Sequence, residues 1–364
     1  MWYKLNEVKR IKRRYQATMK YIQASDIHFD MPFTTISNRA NLGQQRRIDQ
    51  REAFKKVIEC AKENKVDYLF LCGDIYEDKY VRESTVIYTN NLYKEIPDTK
   101  VIIVPGNHDP RIKNCYYNTF KFADNVRVLS NELEVISDNI NGEEIDIYGY
   151  GFNDFHMDDN KYEDIRNIDE NKINIFISHG DDEGDEEYNA IDLNHPNLKK
   201  MDLILLGHIH KRDEYYAGSL CSLGFDEPGE HGFYLGEITK TKSIREFVRA
   251  DNKEFVNIEL DVSNINDEDE LVEKLNSYNE ENKYYEIHLV GNRKFSIDIN
   301  MDIINKNIIK IKDDTELANE IELKPNDKTL TGIFVKKLNE KLEAGEVTKE
   351  EYDKMLEGLL ESLK

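Results

Sequence analysis

Five short apolar runs in this sequence end in turns that carry one kind of side chain. Tyr21-Ile22 leads to Asp26 and His28, and Leu71-Cys72 to Gly73-Asp74. Val104-Pro105 leads to Gly106-Asn107-His108-Asp109, Ile177-Ser178 to His179-Gly180, and Leu206 to Gly207-His208-Ile209-His210. Of the nine His in the chain, five (28, 108, 179, 208 and 210) fall in these turns, beside Asp26, Asp74 and Asn107. A lone His after a strand is more often a hydrogen-bonded core residue; five of them at such turns make a donor set. Carboxylate, amide and imidazole without thiolate suit manganese, iron or zinc better than copper or calcium. The set exceeds the four ligands of one tetrahedral zinc, so it reads as two ions sharing a carboxylate. Paired divalent ions stabilise the attacking and leaving oxygens of a phosphoryl displacement and acidify the attacking water.

The elements that must position these groups follow from the runs themselves. Tyr21-Ile22, Tyr68–Cys72, Val101–Val104, Ile173–Ile177 and Leu203–Leu206 are continuously apolar, the pattern of strands buried on both faces. Ile145–Tyr148 and Phe233–Leu235 read as more exposed strands. Ile48, Phe54, Val57, Ile58 and Ala61 recur at helical spacing between the first two runs. Strands alternating with helices imply an α/β layered domain, a two-layer sandwich, and ligands in such folds bind outside the carboxyl ends of strands.

Four regions are expected. Residues 1–18 are a basic extension that the strand pattern does not need, and residues 19–240 hold the α/β core. Residues 241–324 begin at a polar Thr-Lys-Thr-Lys-Ser stretch and read as a small α+β capping domain, with strands over Phe255–Leu260 and Tyr284–Val290 and a helix from about Asp267 to Tyr278. Residues 325–364 follow Pro325-Asn326-Asp327 and form a helical pair. Its first helix carries Leu330, Ile333, Phe334, Leu338 and Leu342 and stops at Gly345; its second opens on a capping box, Thr348-x-x-Glu351, and presents Tyr352, Met355, Leu356, Leu359, Leu360 and Leu363.

With 39% hydrophobic residues, 21 Tyr and 15 Phe, the chain can fill a core and does not read as disordered. Its net charge of -22 disfavours a stand-alone nucleic-acid binder, which neutralises phosphates with a basic face. Residues 1–20 run the other way, seven Lys and Arg opposing only Glu7. No apolar run reaches the ~18 residues of a membrane span, and Cys60, Cys72, Cys115 and Cys221 form no CxxC pair, so reduced thiols and a cytoplasmic setting are expected.

In order, DxH, GD, GNHD, an isolated HG and GHxH resemble the calcineurin-like metallophosphoesterase superfamily. Asp26-Ile27-His28-Phe29-Asp30-Met31-Pro32-Phe33, Tyr216-Ala217-Gly218-Ser219-Leu220 and Glu227-Pro228-Gly229-Glu230-His231-Gly232 resemble the SbcD-type DNA repair exonucleases, the YhaO-like branch most nearly. The resemblance covers residues 19–240; beyond them only the organisation matches. It implies two divalent metal ions, most readily manganese, with iron or zinc as alternatives. Asp26, His28, Asp74 and His210 would hold one, and Asp74, Asn107, His179 and His208 the other. It casts His108 as a catalytic group acting on the phosphate and leaving oxygen, with Asp109 orienting it. It further implies DNA as substrate and an SbcC-like SMC-type ATPase as partner; a homodimer stays open, and no membrane partner is expected, since no apolar run is long enough to span one. The chain departs from relatives at Glu77, where His or Asp is frequent, which puts one supporting contact in doubt. Asp181–Glu187 reads as a solvated acidic loop, and His156, His195, His231 and His288 as ordinary polar residues. A di-metal enzyme acting on a small phosphoester is the alternative, favoured by the acidic charge; a non-catalytic scaffold sits poorly with so complete a donor set.

Overall fold

The computed structural model describes residues 18–33, 42–184, 187–295, 297–317 and 330–362. The expected basic extension lies outside the described residues except for Thr18. Contacts divide the chain into two compact units, Met1–Asn252 and Lys253–Lys364.

In the first unit the chain runs β1 (Met19–Ala24), α1 (Leu42–Asn64), β2 (Tyr68–Cys72), α2 (Glu83–Tyr93), β3 (Lys100–Val104), the single turn α3 (Tyr116–Thr119) and β4 (Val126–Val128). It continues through β5 (Glu134–Ile140), β6 (Glu143–Gly149), β7 (Ile173–His179), β8 (Leu203–Gly207), β9 (Gly232–Thr239) and β10 (Lys242–Arg249). One sheet has the order β10-β9-β1-β2-β3-β4 and the other β5-β6-β7-β8. The ligand-bearing strands β1, β2 and β3 are parallel neighbours, as are β7 and β8, so their carboxyl ends emerge together.

The apolar runs are continuous because each sheet is covered on both faces. Between the sheets, Tyr21, Tyr68, Phe70 and Val104 pack with Ile147, Ile175, Ile177 and Leu205. On the outer face of the first sheet, Ile22, Leu69, Leu71 and Val101 meet Phe54, Val57 and Ala61 of α1 and Val86 and Tyr93 of α2. Ile48, counted in the α1 stripe from its spacing, is 42% exposed instead. On the outer face of the second sheet, Tyr148, Phe176 and Leu206 are covered by Tyr150, Phe152, Tyr162, Leu198 and Tyr216 from connecting segments. Burying apolar area at roughly 25 cal/mol per Å² across three such clusters is what holds the strand ends in register.

Three expectations are corrected. Phe233 and Tyr234 of β9, read as more exposed, are buried. β6 is buried from Ile145 to Gly149. It lies between β5 and β7, and the Asp146 that made it look exposed takes Lys172 Nζ at 3.0 Å. The expected boundary at 240–241 falls inside the β9–β10 hairpin, since β10 pairs antiparallel with β9 along its length. The Arg46 guanidinium, fully buried in α1, fastens the end of that hairpin by pairing with Asp251 at 2.6 Å.

The second unit contains β11 (Glu254–Asp261), α4 (Glu268–Asn276), β12 (Lys283–Val290), the short β13 (Asn292–Arg293), β14 (Ile308–Asp313) and the short β15 (Glu316–Leu317). β11, β12 and β14 form a parallel sheet whose Ile287, Leu289 and Ile308 pack with Leu271 and Leu275 of α4. Asp267 caps α4 by accepting from the Glu270 N–H at 2.9 Å. The helical pair is α5 (Leu330–Glu343) and α6 (Lys349–Ser362). The capping box forms: Thr348 N–H donates to Glu351 Oε2 at 2.8 Å and Glu351 N–H to Thr348 Oγ1 at 3.2 Å. Val335 and Leu338 pack on Tyr352 and Leu356, whereas Ile333, Phe334 and Met355 stay exposed. The side chains of Leu330, Leu360 and Leu363 lie outside the described residues.

Candidate metal centre

The five turns at the carboxyl ends of β1, β2, β3, β7 and β8 converge. Several of their residues adopt a backbone that L-residues rarely take: φ is 51° at Asp26, 52° at His28, 53° at Asp74 and 106° at His208. Non-glycine residues in this region cost of order 1–3 kcal/mol each and persist where packing over-determines them. Here the twist turns each side chain inward from the strand end. Glycine is required beside them. Gly73 has φ of 92°, and a Cβ on it would sit 2.2 Å from His179 Nδ1; a Cβ on Gly106 would sit 2.2 Å from Asp74 Oδ1.

The donors fall into two trios around Asp74. In the first, His28 Nε2 lies 3.2 Å from His210 Nε2, and His210 Nε2 lies 3.8 Å from Asp26 Oδ1. In the second, Asn107 Oδ1 lies 3.0 Å from His179 Nε2 and 3.2 Å from His208 Nδ1. Asp74 Oδ2 stands between them, 3.7 Å from His28 Nε2 and 3.4 Å from His179 Nε2. All seven sequence-derived ligand candidates, Asp26, His28, Asp74, Asn107, His179, His208 and His210, are therefore gathered in one place. The ring nitrogens are aimed by their opposite faces. His28 Nδ1 is 2.7 Å from Glu77 Oε1, His210 Nδ1 is 2.6 Å from Glu227 Oε1, and His179 Nδ1 is 2.8 Å from the Cys72 carbonyl. With Nδ1–H engaged, each of these rings presents Nε2 to the centre.

The residues fit divalent cations. Asp26 Oδ2 is buried without a hydrogen-bond partner, a costly state for a carboxylate oxygen. Two Nε2 atoms face one another at 3.2 Å, which requires either a proton or a cation between them. In the protein alone, protons serve. Burial opposes charge on His179, but the Asp74 carboxylate outweighs it and holds the imidazole pKa at about 9. His210 rises likewise to about 9, burial being overcome by Glu227 and Asp26. Asp74 is held well below the usual carboxylate range, because the His179 and His28 imidazoles outweigh its burial. His208 falls to about 4 through burial and the neighbouring His179 charge.

His108 occupies a different position. Its side chain is 47% exposed at the rim, with Nδ1 3.2 Å from Glu77. That hydrogen bond raises its pKa. Its backbone N–H donates to Asp74 Oδ1 at 2.8 Å, tying the rim to the centre.

Among the described residues Asp109 makes no hydrogen bond to the His108 ring, which it was expected to orient. Its carboxylate accepts from the backbone N–H groups of Gly106, Asp74, Ile75 and Tyr76 at 2.7 to 3.2 Å and from Tyr117 Oη at 2.5 Å. Burial and the nearby Asp74 charge raise its pKa, and these donors pull it back. Its part is to brace the two loops that carry Asp74 and Asn107. Orientation of His108 falls to Glu77, which sequence reasoning had noticed only as a departure. Burial raises the Glu77 pKa, but hydrogen bonds from His108 and His28 hold it down at about 2.

Other contributors had weaker signals. Glu227, Ser219 and His231 lie in the two segments used for the SbcD-type resemblance, yet His231 read as an ordinary polar residue; it is buried, with Nδ1 2.8 Å from Ser219 Oγ. Tyr188 stacks on His208, ring centroids 5.1 Å apart at 29°. Asp181, expected in a solvated loop, is buried and caps the turn by accepting from the Glu183 and Gly184 N–H groups at 2.6 and 2.8 Å; residues 185–186 lie outside the described residues. His156, His195 and His288 make no contact with the centre in any described hydrogen bond or ring pair.

A sandwich of two sheets with this donor set at its strand ends defines a metallophosphoesterase. The family model for calcineurin-like phosphoesterases matches residues 19–212, and the chain belongs to that family, which uses a divalent di-metal centre. Among curated proteins it is similar to the uncharacterized metallophosphoesterase YhaO of Bacillus subtilis, 25% identical over 64% of this chain and 60% of the relative. It is also 25% identical to SbcD of the nuclease SbcCD from Staphylococcus saprophyticus, over 72% of this chain and 76% of the relative. To the DNA double-strand break repair protein Mre11 of Methanocaldococcus jannaschii it is 29% identical, over 54% of this chain and 57% of that protein. The chain thus spans less than two thirds of the first and third of these relatives. No helix among the described residues is long and apolar enough to cross a membrane.

Proposed function

We propose that this chain is a metal-dependent DNA phosphodiesterase, an exonuclease or endonuclease of DNA repair in the cytoplasm, working as the nuclease subunit beside an SbcC-like SMC-type ATPase. The observation that carries the hydrolytic part is the place of Asp74 Oδ2 between the two imidazole-bearing trios, with His108 at the exposed rim. Asp26, His28 and His210 would hold one divalent ion and Asn107, His179 and His208 the other, Asp74 being shared; manganese suits these O and N donors. Two such ions supply charge neutralisation at the phosphate and a lowered pKa for the attacking water.

The chain's own groups do the rest. Asp26, Asp74 and the trios fix the place of attack at the strand ends. As the water oxygen bonds to phosphorus and the phosphorus–oxygen bond to the leaving 3′ oxygen breaks, that oxygen needs a proton. His108 is the group at the rim able to give it, since Glu77 holds Nδ1 and favours the imidazolium form. With Nδ1 held by Glu77, it is His108 Nε2–H that can give this proton or hydrogen-bond a phosphate oxygen while charge builds there.

The DNA and repair part rests on the relatives whose names are SbcD, of the nuclease SbcCD, and the double-strand break repair protein Mre11. The ATPase part rests on the same relatives and on the exposed Ile333, Phe334 and Met355 of the helical pair, a surface for a partner helix. A second reading, hydrolysis of a small phosphoester, is favoured by the net charge of -22 and by the acidic stretch that follows His179. Incubating the manganese-loaded chain with single-stranded DNA, duplex DNA and a small phosphodiester separates the two. Cleavage of DNA supports the nuclease; cleavage of the small ester alone replaces it with the second reading.

A further inference from the structure

The two halves of the centre are backed unequally. Behind His28 stands the Glu77 carboxylate at 2.7 Å, and behind His210 the Glu227 carboxylate at 2.6 Å. Asp26 Oδ1 lies 3.8 Å from His210 Nε2, but its carboxylate also lies within 4.8 Å of the Asp74 and His179 ligand atoms, so the difference between the halves rests on Glu77 and Glu227. The other half, apart from the shared Asp74, offers Asn107, His179 and His208, all uncharged as ligands. His179 is backed by the Cys72 carbonyl at 2.8 Å, and His208 Nδ1 faces the Asn107 amide oxygen at 3.2 Å.

Glu227 is itself held firmly. Its Oε2 accepts from Ser219 Oγ at 2.9 Å and from the Leu223 N–H at 3.1 Å. Ser219 Oγ pairs with His231 Nδ1 at 2.8 Å, and His231 Nε2 reaches the Glu227 carbonyl at 3.0 Å. Ser219 and His231 are both buried, so this chain of contacts fixes the rotamer of Glu227 and through it the ring of His210. A carboxylate behind a ligating imidazole fixes its tautomer and raises its basicity, and two of them deepen the negative potential at one position.

We propose that Glu227 and Glu77 are positioning residues that make the half built from Asp26, His28 and His210 the tighter of two divalent-cation sites, filled first as metal is supplied. Glu227 is anchored for this by Ser219 and His231. The proposal rests on the di-metal reading above but not on the identity of the phosphoester.

The test is a manganese titration of the metal-free full-length chain, with free ion followed by electron paramagnetic resonance. The native chain should show one tight and one weaker class. Glu227→Gln, which keeps the shape and removes the charge, should weaken the tight class ~10–100-fold and leave the weaker one in place. His208→Ala should remove the weaker class alone. If Glu227→Gln does not fold, Glu77→Gln acts on His28 of the same half and carries the same expectation. Two native classes of equal affinity would overturn the proposal, as would loss of the weaker class in Glu227→Gln. A drop in melting temperature with the tight class unchanged would also overturn it, reducing Glu227 to a loop fastener. A native chain that binds no divalent ion would instead sink the di-metal reading itself, whereas failure to cut DNA touches neither result.

Discussion

Glu77 sits between His28 and His108, 2.7 Å from Nδ1 of the first and 3.2 Å from Nδ1 of the second. One carboxylate therefore aims a ligand imidazole into the centre and holds the rim imidazole beside it, the two rings meeting edge to face with centroids 4.9 Å apart. Because the Glu77 hydrogen bond raises the His108 pKa, it extends the pH range over which His108 is an acid. In Glu77→Gln the His108 pKa should fall back toward ~6.5, and the basic limb of the pH–rate profile should move to lower pH. A basic limb unmoved by the substitution would detach His108 from the rate-determining proton transfer.

His108→Ala should lose ~10²–10⁴-fold in turnover, the usual scale for a general acid, and still bind two metal ions. Metal analysis of the purified variant checks this. Loss of an ion would make His108 a ligand.

Asp74→Ala removes a carboxylate oxygen that lies 3.7 Å from His28 Nε2 in one trio and 3.4 Å from His179 Nε2 in the other. Hydrolysis of a small phosphodiester should drop by roughly 10³-fold or more, the kinetic equivalent of losing several kcal/mol of charge stabilisation, and bound metal should fall with it. Near-native turnover with both ions retained would displace Asp74 from the bridge.

Metal binding should release protons. His179 and His210, both at about 9 in the protein alone, are protonated at neutral pH and must become neutral to ligate. Apparent metal affinity should rise with pH up to about 9. Calorimetric titration in buffers of different ionisation enthalpy measures the protons set free, and none released near pH 7 would refute the assignment. The sign for stability is the reverse. Raised folded-state values stabilise the metal-free chain fully below ~6.5, and that contribution fades as pH climbs through about 9, so its melting temperature should fall across this window.

Asp109→Ala should act on folding before chemistry. It strands four buried or near-buried backbone N–H groups and the Tyr117 hydroxyl, each costing ~1–3 kcal/mol when unpaired. Chemical denaturation should show a loss of at least about 3 kcal/mol, with Asp109→Asn milder. Wild-type stability with turnover lost would return Asp109 to the catalytic role first expected of it.

What the sequence determined by itself were the features set by neighbours along the chain. Each donor lies within a few residues of the strand that carries it, and the continuous runs such as Tyr68–Cys72 record burial on both faces, so the α/β sandwich and the ligand candidates were legible. The capping box at Thr348 and Glu351 was legible for the same reason, because both of its hydrogen bonds close within one turn. Tertiary structure alone decided the rest. Nothing local says that Glu77 rather than the adjacent Asp109 holds His108, or that Glu227 backs His210 from a loop 17 residues away. Nor does local pattern place β10 in the first sheet, since its position comes from pairing with β9 along its length and from the Asp251–Arg46 ion pair, across 205 residues, just beyond its end. Strand periodicity reports how much water a segment meets, whereas the partner of a buried polar group is chosen by which distant loops the packed sheets bring within hydrogen-bond reach.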